Sequence, residues 1–260
     1  MEKIDFGLKK KGFLGIGLKG SLEDFSSDDL HTHPFHQVLQ IKNGVALLQD
    51  NRLTKPQFGR LAAFIPADCP HRTKVLGDAV EYQSLYFNKS LLPGSRNTIS
   101  IFPMSDLGVA LLDHLNKSEP LQNINRGIAK ECLMLFLKVL EQELSREVPI
   151  IKLRTPDTEM NKKICGFLEK HHHRKIAAQD LSIFPRSFRQ LSRDFKSEMN
   201  VSIFEYLRLF RMLQAVIFLK TTDEKIVTIA GDCGYDSLSS FFSDFKKTFS
   251  ISPREFRMIE

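Results

Sequence analysis

Between residues 30 and 100 the apolar positions come in short runs: VLQI at 38–41, VALL at 45–48, LAAFI at 61–65 and VEYQSLYF at 80–87. Short apolar runs bounded by turn-forming residues predict strands. Asn43-Gly44, between the first two runs, predicts a tight hairpin, because both residue types tolerate positive φ. Strands of this length and spacing predict a small barrel or sandwich. The period then changes. Across 126–146, Leu133, Leu137, Leu140 and Leu144 stand at i, i+4, i+7 and i+11, one stripe of a helix, and Cys132, Leu135, Phe136 and Val139 widen it. Such a helix either packs on the β-domain or forms a dimer seam. Pro149 and Pro156 punctuate a linker over 147–157, and from 158 onward the pattern is helix and turn.

Within that helical part the sequence repeats itself at an offset of 50 residues. SFRQLSRDFKSEMNVSIFEY, from Ser187, lies over SLSSFFSDFKKTFSISPREF, from Ser237. Leu191, Asp194, Phe195 and Lys196 meet Phe241, Asp244, Phe245 and Lys246, and Ser202 and Glu205 meet Ser252 and Glu255. Each leading serine is a good N-cap. Phe188, Leu191 and Phe195 share one helical face, as do Leu238, Phe241 and Phe245, and both faces are expected to be buried. The outward faces carry Arg189, Ser192, Arg193 and Lys196 in one copy and Ser239, Phe242, Ser243 and Lys246 in the other. Another short helix precedes each serine. In the second copy Ala230 permits close helix approach and Gly234 supplies a left-handed turn. Helix, tight turn and helix of this size describe a helix-turn-helix. The span 201–220 between the copies reads as one long helix of about 28 Å, a length that holds two reading heads over adjacent major-groove faces about 34 Å apart.

The charge distribution agrees. Residues 151–260 hold 19 Lys and Arg against 14 Asp and Glu, whereas 1–150 hold 18 against 17, so the basic surplus sits in the helical part. The four cysteines are dispersed without a CxxC, which argues against a disulfide framework or a cysteine-based zinc site and fits a reducing cytosol. The first residues lack the pattern of a signal peptide, and no apolar run is long enough to cross a bilayer.

Residues from about 170 to 257 resemble the DNA-binding domain of AraC-type transcriptional regulators. The residues that carry the likeness are Ser187–Leu191, Arg193 and Phe195, then Arg208, Arg211, Ala215 and Leu219 on the long helix. Ile229-Ala230, Gly234–Ser237, Ser239, Phe241, Phe245-Lys246, Ser252-Pro253 and Phe256-Arg257 complete it. The resemblance implies that the second helix of each unit enters the major groove. Arg189, Ser192 and Arg193 would then face bases from the first unit, and Leu238, Ser239, Phe242 and Ser243 from the second. Lys196, Arg208, Lys246 and Lys247 suit phosphate contacts or solvated positions. Arginine reads guanine bidentately, so the first unit is expected to discriminate more strongly. Two departures stand out: Pro185 occupies the first turn where the second has Gly234, and Asn200 and Ser250 stand where a glycine usually follows the recognition helix. Asparagine takes the left-handed cap more readily than serine.

A second constellation is His31-Thr32-His33, Gln37, Gly44, Gly59, Pro66 and His71. Histidines two apart on a strand share a face, and a third from another strand can converge on them. Three imidazoles and an oxygen suit Zn, Ni, Fe or Mn. The spacing resembles the cupin barrel, which AraC-type regulators commonly carry as a sensor, and IPADCPH at 65–71 resembles the sensor segment of that family. The sequence departs from the metal-binding pattern at Gln37, which replaces an acidic ligand, and at Asp68 and Val75; one extra residue precedes Pro66. The alternative is that His31, His33, Gln37 and His71 line an effector pocket. His36 is expected on the opposite face, and His171–His173 at a polar helix end.

The expected architecture is α+β and multidomain: a cupin-like sensor barrel over 1–100, a helical packing or dimerisation segment over 101–150, and an all-α DNA-binding domain over 151–260. That domain would hold two helix-turn-helix units at about 174–196 and 224–248. The expected function is a cytoplasmic, effector-controlled regulator that binds double-stranded promoter or operator DNA. Its partners would be a small-molecule or metal effector, a second copy through the helix at 126–146, and RNA polymerase if it activates. Effector binding would shift a population of states through that helix and the linker. The competing expectation, a metal-dependent cupin dioxygenase or isomerase with an appended helical domain, lacks a full ligand set and a general base, and leaves the repeat unexplained.

Overall fold

The structure is a computed structural model of the 260-residue chain. It describes residues 14–21, 27–76, 80–94, 98–116, 122–123, 127–146, 148 and 150–258. Residues 1–13 and two linker positions, 147 and 149, lie outside the described residues. The chain divides into two units, one up to Asn51 with Lys55–Val148, the other Pro149–Met258 with Arg52–Thr54.

The first unit runs β1 (Gly15–Ser21), β2 (Ser27–His31), β3 (Phe35–Ile41), β4 (Val45–Asp50), β5 (Leu53–Phe58), β6 (Leu61–Ile65), β7 (His71–Leu76), β8 (Glu81–Asn88) and β9 (Ser100–Pro103). Then come α1 (Asp106–Leu115), β10 (Gln122–Asn123) and α2 (Gly127–Leu144). One sheet has the order β10-β1-β8-β3-β6-β9; the other contains β5-β4-β7-β2. The described registers are antiparallel, with Val38 opposite Leu85 on one side and Phe64 on the other.

The first sheet is apolar on both faces, which explains the unbroken runs at 38–41 and 61–65. Val38, Phe64, Leu85, Phe87 and Phe102 pack against Leu111, Leu112 and Leu115 of α1 and Leu133, Phe136, Leu137 and Leu140 of α2. Leu39, Ile41, Ala63 and Ile65 face Ala46 and Leu48 of the second sheet. Three leucines of the α2 stripe are therefore spent on the sheet, while Ile128, Met134 and Leu135 of the same helix stay exposed.

Two expectations need correction. Among the described residues the strands form two sheets, closer to the sandwich alternative than to a closed barrel. Asn43-Gly44 does not make a hairpin, because β3 and β4 belong to different sheets. Gly44 has φ +82°, and a Cβ there would lie 2.6 Å from Val80 Cγ2 and 2.7 Å from Leu76 O. The glycine turns a tight corner between sheets, a task that asks for the same residue type as a hairpin.

The second unit contains β11 (Leu153–Arg154), α3 (Glu159–Lys170), a 3₁₀ turn (Ala178–Ile183), α4 (Phe188–Met199), α5 (Ile203–Thr221), α6 (Ile226–Asp232), α7 (Leu238–Phe249) and α8 (Pro253–Met258). Thr158, Ser187, Ser202 and Ser237 each accept the backbone N–H three residues on, satisfying one of the orphan donors that open a helix. α5 buries Tyr206, Leu207, Met212, Leu213, Ala215, Val216 and Leu219, so it is the spine on which the other helices rest.

Candidate nucleic-acid interface and buried histidine cluster

The 50-residue repeat is repeated in structure. Across 187–200 and 237–250 the sequence of buried, half-buried and exposed positions is identical for all 14 residues. Leu191, Phe195 and Met199 are buried in one copy, and Phe241, Phe245 and Phe249 in the other. Phe188 and Leu238, expected on the buried faces, are 38% and 42% exposed: they occupy the first turn, outside the i, i+4, i+8 rows that meet the core. Both helices end on a left-handed residue, Asn200 at φ 60° and Ser250 at φ 65°, whose N–H groups reach Lys196 O and Lys246 O. The serine takes the cap despite its lower tolerance for it. The turns before the helices differ. Gly234 has φ +77°, whereas no residue of 184–187 has positive φ, as Pro185 requires.

The outward positions carry different chemistry. Arg189 and Arg193 are exposed on α4, with Ser192 half-buried. Asp194 supports the arginine side of this face, accepting from Arg193 Nε at 3.2 Å and from Arg186 Nη1 at 2.9 Å. On α7, Leu238, Ser239 and Ser243 are exposed and Phe242 is half-buried. Asp244, the counterpart of Asp194, accepts instead from Tyr235 OH at 2.8 Å. Lys196, Lys246 and Lys247 are exposed near the helix ends.

Arg208 is placed differently from the expectation. Its Nε and Nη2 donate to both oxygens of Glu205 at 3.0 and 2.6 Å, and Nη1 donates to Thr248 Oγ1 at 3.0 Å. It ties α5 to α7, and the carboxylate beside it holds its pKa above the usual arginine value. Three of its five N–H donors are thus engaged within the protein. Arg211 also works internally. Nε donates to His172 O at 2.9 Å and Nη2 to Arg174 O at 2.7 Å, with the guanidinium 5.6 Å from the centre of the Tyr235 ring.

Sequence reasoning missed Glu198. From α4 it accepts the N–H groups of Asp157 (2.7 Å) and Thr158 (3.2 Å), the Thr158 hydroxyl (2.7 Å) and Asn161 Nδ2 (2.8 Å). Desolvation raises its pKa, but the hydrogen bonds outweigh that and hold the carboxyl below its ordinary value. It fastens the N-terminus of α3 to α4 beside a cavity of about 510 Å³. No spacing in the sequence links positions 40 residues apart on different helices.

In the first unit, His31, His33 and His71 do come together. Their ring centres lie 4.2 Å (31–71), 5.0 Å (33–71) and 6.3 Å (31–33) apart, all three buried. β2 ends at His31, which pairs across with His71, and His33 lies past the strand. The cluster does not fit a metal. Among the described residues no three His, Cys, Asp or Glu side chains are arranged to hold an ion. His33 has both nitrogens engaged, Nδ1 with Phe35 O at 2.7 Å and Nε2 with the Gln37 amide at 2.9 Å; Gln37 continues to Ser84 Oγ at 2.9 Å. A neutral imidazole donates through one nitrogen only, so His33 meets Phe35 O and Gln37 together when the amide turns its NH₂ to the ring and takes the Ser84 hydroxyl on its oxygen. His71 Nδ1 contacts Cys69 O at 2.9 Å. Burial pushes the pKa of His33 down and that of His71 down to about 3, which keeps both rings neutral. His36 faces away from it, accepting the Ala67 N–H at 2.9 Å and lying 5.1 Å from the Phe64 ring. The same interior holds a buried cation that the sequence pattern did not expose: Lys55 donates to Ile99 O at 2.6 Å and lies 3.7 Å from Asp50 Oδ2.

Residues 182–258 match the helix-turn-helix domain family. The chain is 26% identical over 247 residues to the HTH-type transcriptional activator RhaR of Mannheimia succiniciproducens, covering 90% of this chain and 79% of that protein. It is 29% identical over 142 residues to the arabinose operon regulatory protein of Escherichia coli, covering 52% of this chain and 48% of that one. Among solved structures, the DNA-binding domain of AdpA in complex with a target DNA is 25% identical with a TM-score of 0.37, covering 38% of this chain and 91% of that chain. Among the described residues no helix is long and apolar enough to cross a membrane. The helix-turn-helix match over 182–258, and a transcriptional activator aligned along 90% of the length, give this chain an AraC-type helix-turn-helix domain and make it similar to transcriptional regulators rather than to enzymes.

Proposed function

We propose that the regulator reads DNA with α4 and α7, each the second helix of a helix-turn-helix unit, at about 174–196 and 224–248. The observation that carries this is the identical exposure register of 187–200 and 237–250, which offers two equivalent outward faces. Arg189, Ser192 and Arg193 meet bases in one major groove, and Leu238, Ser239, Phe242 and Ser243 in the next. Lys196, Lys246 and Lys247 meet phosphate and set register. α5, 19 residues and about 28 Å long, holds the two heads.

The residues up to about 100 form the cupin-like sensor, with His31, His33, Gln37 and His71 as effector-pocket lining and no resident metal. The engagement of both His33 nitrogens within the protein supports an organic effector. The segment 101–150 packs on the sensor through the buried leucines of α2, and its exposed Ile128, Met134 and Leu135 suit a seam with a second copy. Effector binding shifts the population of states that present the heads. The protein works in the cytosol, and meets RNA polymerase if it activates. Binding of the full chain to fragments of its own genome tests this. Wild type enriches discrete sites, and an Arg193→Ala protein loses preference among variants of those sites. Equal affinity for all fragments would refute it.

A further inference from the structure

We infer that the two heads read chemically different base edges, guanine by α4 and the thymine methyl group by α7, so the operator is chemically asymmetric along its length. This rests on the reading of α4 and α7 as the base-contacting helices. The matched register makes the comparison strict: Phe188, Arg189, Ser192 and Arg193 stand where Leu238, Ser239, Phe242 and Ser243 stand in the other copy. Two guanidinium groups face out from α4, and Asp194 on Arg193 Nε leaves the two terminal nitrogens of that fork pointing to solvent on a side chain 76% exposed. A fork held this way matches the O6 and N7 acceptors of guanine.

The same stations on α7 hold no charge. The Ser239 hydroxyl is 3.0 Å from Ser237 Oγ, the oxygen that also caps α7 by accepting the Ser240 N–H at 3.1 Å, so the serines at the head of the helix are engaged with one another. Besides the exposed Ser243 hydroxyl, what faces outward there is the Leu238 side chain, 42% exposed, and the half-buried Phe242 ring. In the major groove the apolar feature of a base edge is the thymine C5 methyl. Asp244 could have supported an arginine as Asp194 does, but it is given to Tyr235. Exposed Lys246 and Lys247 follow on the same helix, which favours a polyanion over a protein as the occupant of this apolar face.

The test is selection of full-length protein on a random duplex pool, followed by base-analogue substitution in the enriched site. Guanine in one half-site and thymine in the other, about one helical turn away, is expected. Replacing thymine by deoxyuridine removes only the methyl and lowers wild-type affinity about fourfold per contacted base. Replacing guanine by 7-deazaguanine, or Arg193 by Ala, costs about 5- to 150-fold. A protein carrying both Leu238→Ala and Phe242→Ala is expected to bind thymine and deoxyuridine sites equally, with an unchanged salt dependence. Guanine enriched in both half-sites, or wild-type affinity indifferent to deoxyuridine, overturns the inference while leaving sequence-specific DNA binding intact. The deoxyuridine arm uses wild-type protein, so a misfolded variant does not decide it. Salt-dependent binding with no enriched motif overturns the proposed base reading by α4 and α7 itself.

Discussion

Two glycines three residues apart are expected to respond to alanine in opposite directions. Gly234 has φ +77°, and an added Cβ would lie 2.2 Å from His172 O and 2.7 Å from Arg211 Nη2. The backbone strain alone costs about 1–2 kcal/mol. The methyl also displaces the carbonyl that accepts from Arg211 Nε, and losing a charged hydrogen bond costs about 1.5–3 kcal/mol. Gly234→Ala should therefore destabilise the helical unit by about 3–5 kcal/mol. Gly231, inside α6, has nothing within 4 Å of its would-be Cβ. There alanine removes only the entropy cost of a helical glycine and stabilises by about 0.5–1 kcal/mol. The chain has no tryptophan, so urea unfolding followed by far-UV circular dichroism is the assay. At a slope of about 2 kcal/mol/M, the Gly234→Ala midpoint falls by about 2 M, and that of Gly231→Ala rises slightly. A Gly234→Ala midpoint at or above wild type would refute the argument that the Arg211 clamp closes on this turn.

Other expectations follow from the same geometry. Ser250→Gly relieves a left-handed serine and should stabilise by about 1 kcal/mol, read as a rise in Tm of a few degrees. Glu198→Ala should cost about 1–3 kcal/mol at neutral pH. The folded carboxyl is held below its ordinary value, so this contribution is present above the unfolded pKa and disappears as pH falls through the folded one. Wild type and variant should therefore converge in acid, and a constant gap in denaturation curves down to low pH would count against it. The histidine cluster has the opposite chemistry with the same outcome. His33 and His71 stay neutral in the fold while the unfolded chain takes up protons below about pH 6.5, so stability falls with pH by about 1.4 kcal/mol per unit for each, continuing toward about 3 for His71. His71→Asn should flatten that slope in urea titrations between neutral and acid pH.

The helical half was legible because its signals are local. Serine caps and the apolar steps from Leu191 to Phe195 and from Phe241 to Phe245 act within a turn or two, the 50-residue repeat doubles them, and α5 and α7 fall within a residue or two of their expected limits. In the first half the strands at 38–41, 45–48, 61–65 and 80–87 were legible too, but their partners were not. Asn43-Gly44 asks for positive φ in either a hairpin or a corner, and only distant pairing decides between them. The histidines converge as their spacing suggests, yet metal competence turns on what Gln37 does with His33 Nε2, and that depends on Ser84, 47 residues away. Arg208 shows the same limit from the other side. A basic residue on a basic unit reads as a phosphate contact until the fold brings Thr248 to it.

α5 also sets a phase. Each residue of an α-helix turns its far end by about 100° and advances it by only about 1.5 Å. One residue added within Ile203–Thr221 would barely lengthen the spine, yet it would swing α7 about a quarter-turn relative to α4. If α4 and α7 read DNA as proposed, the separation of their half-sites is thus stored in the protein chiefly as an angle. Natural variation in operator spacing should be answered by changes in how the helices pack on α5 rather than by changes in its length.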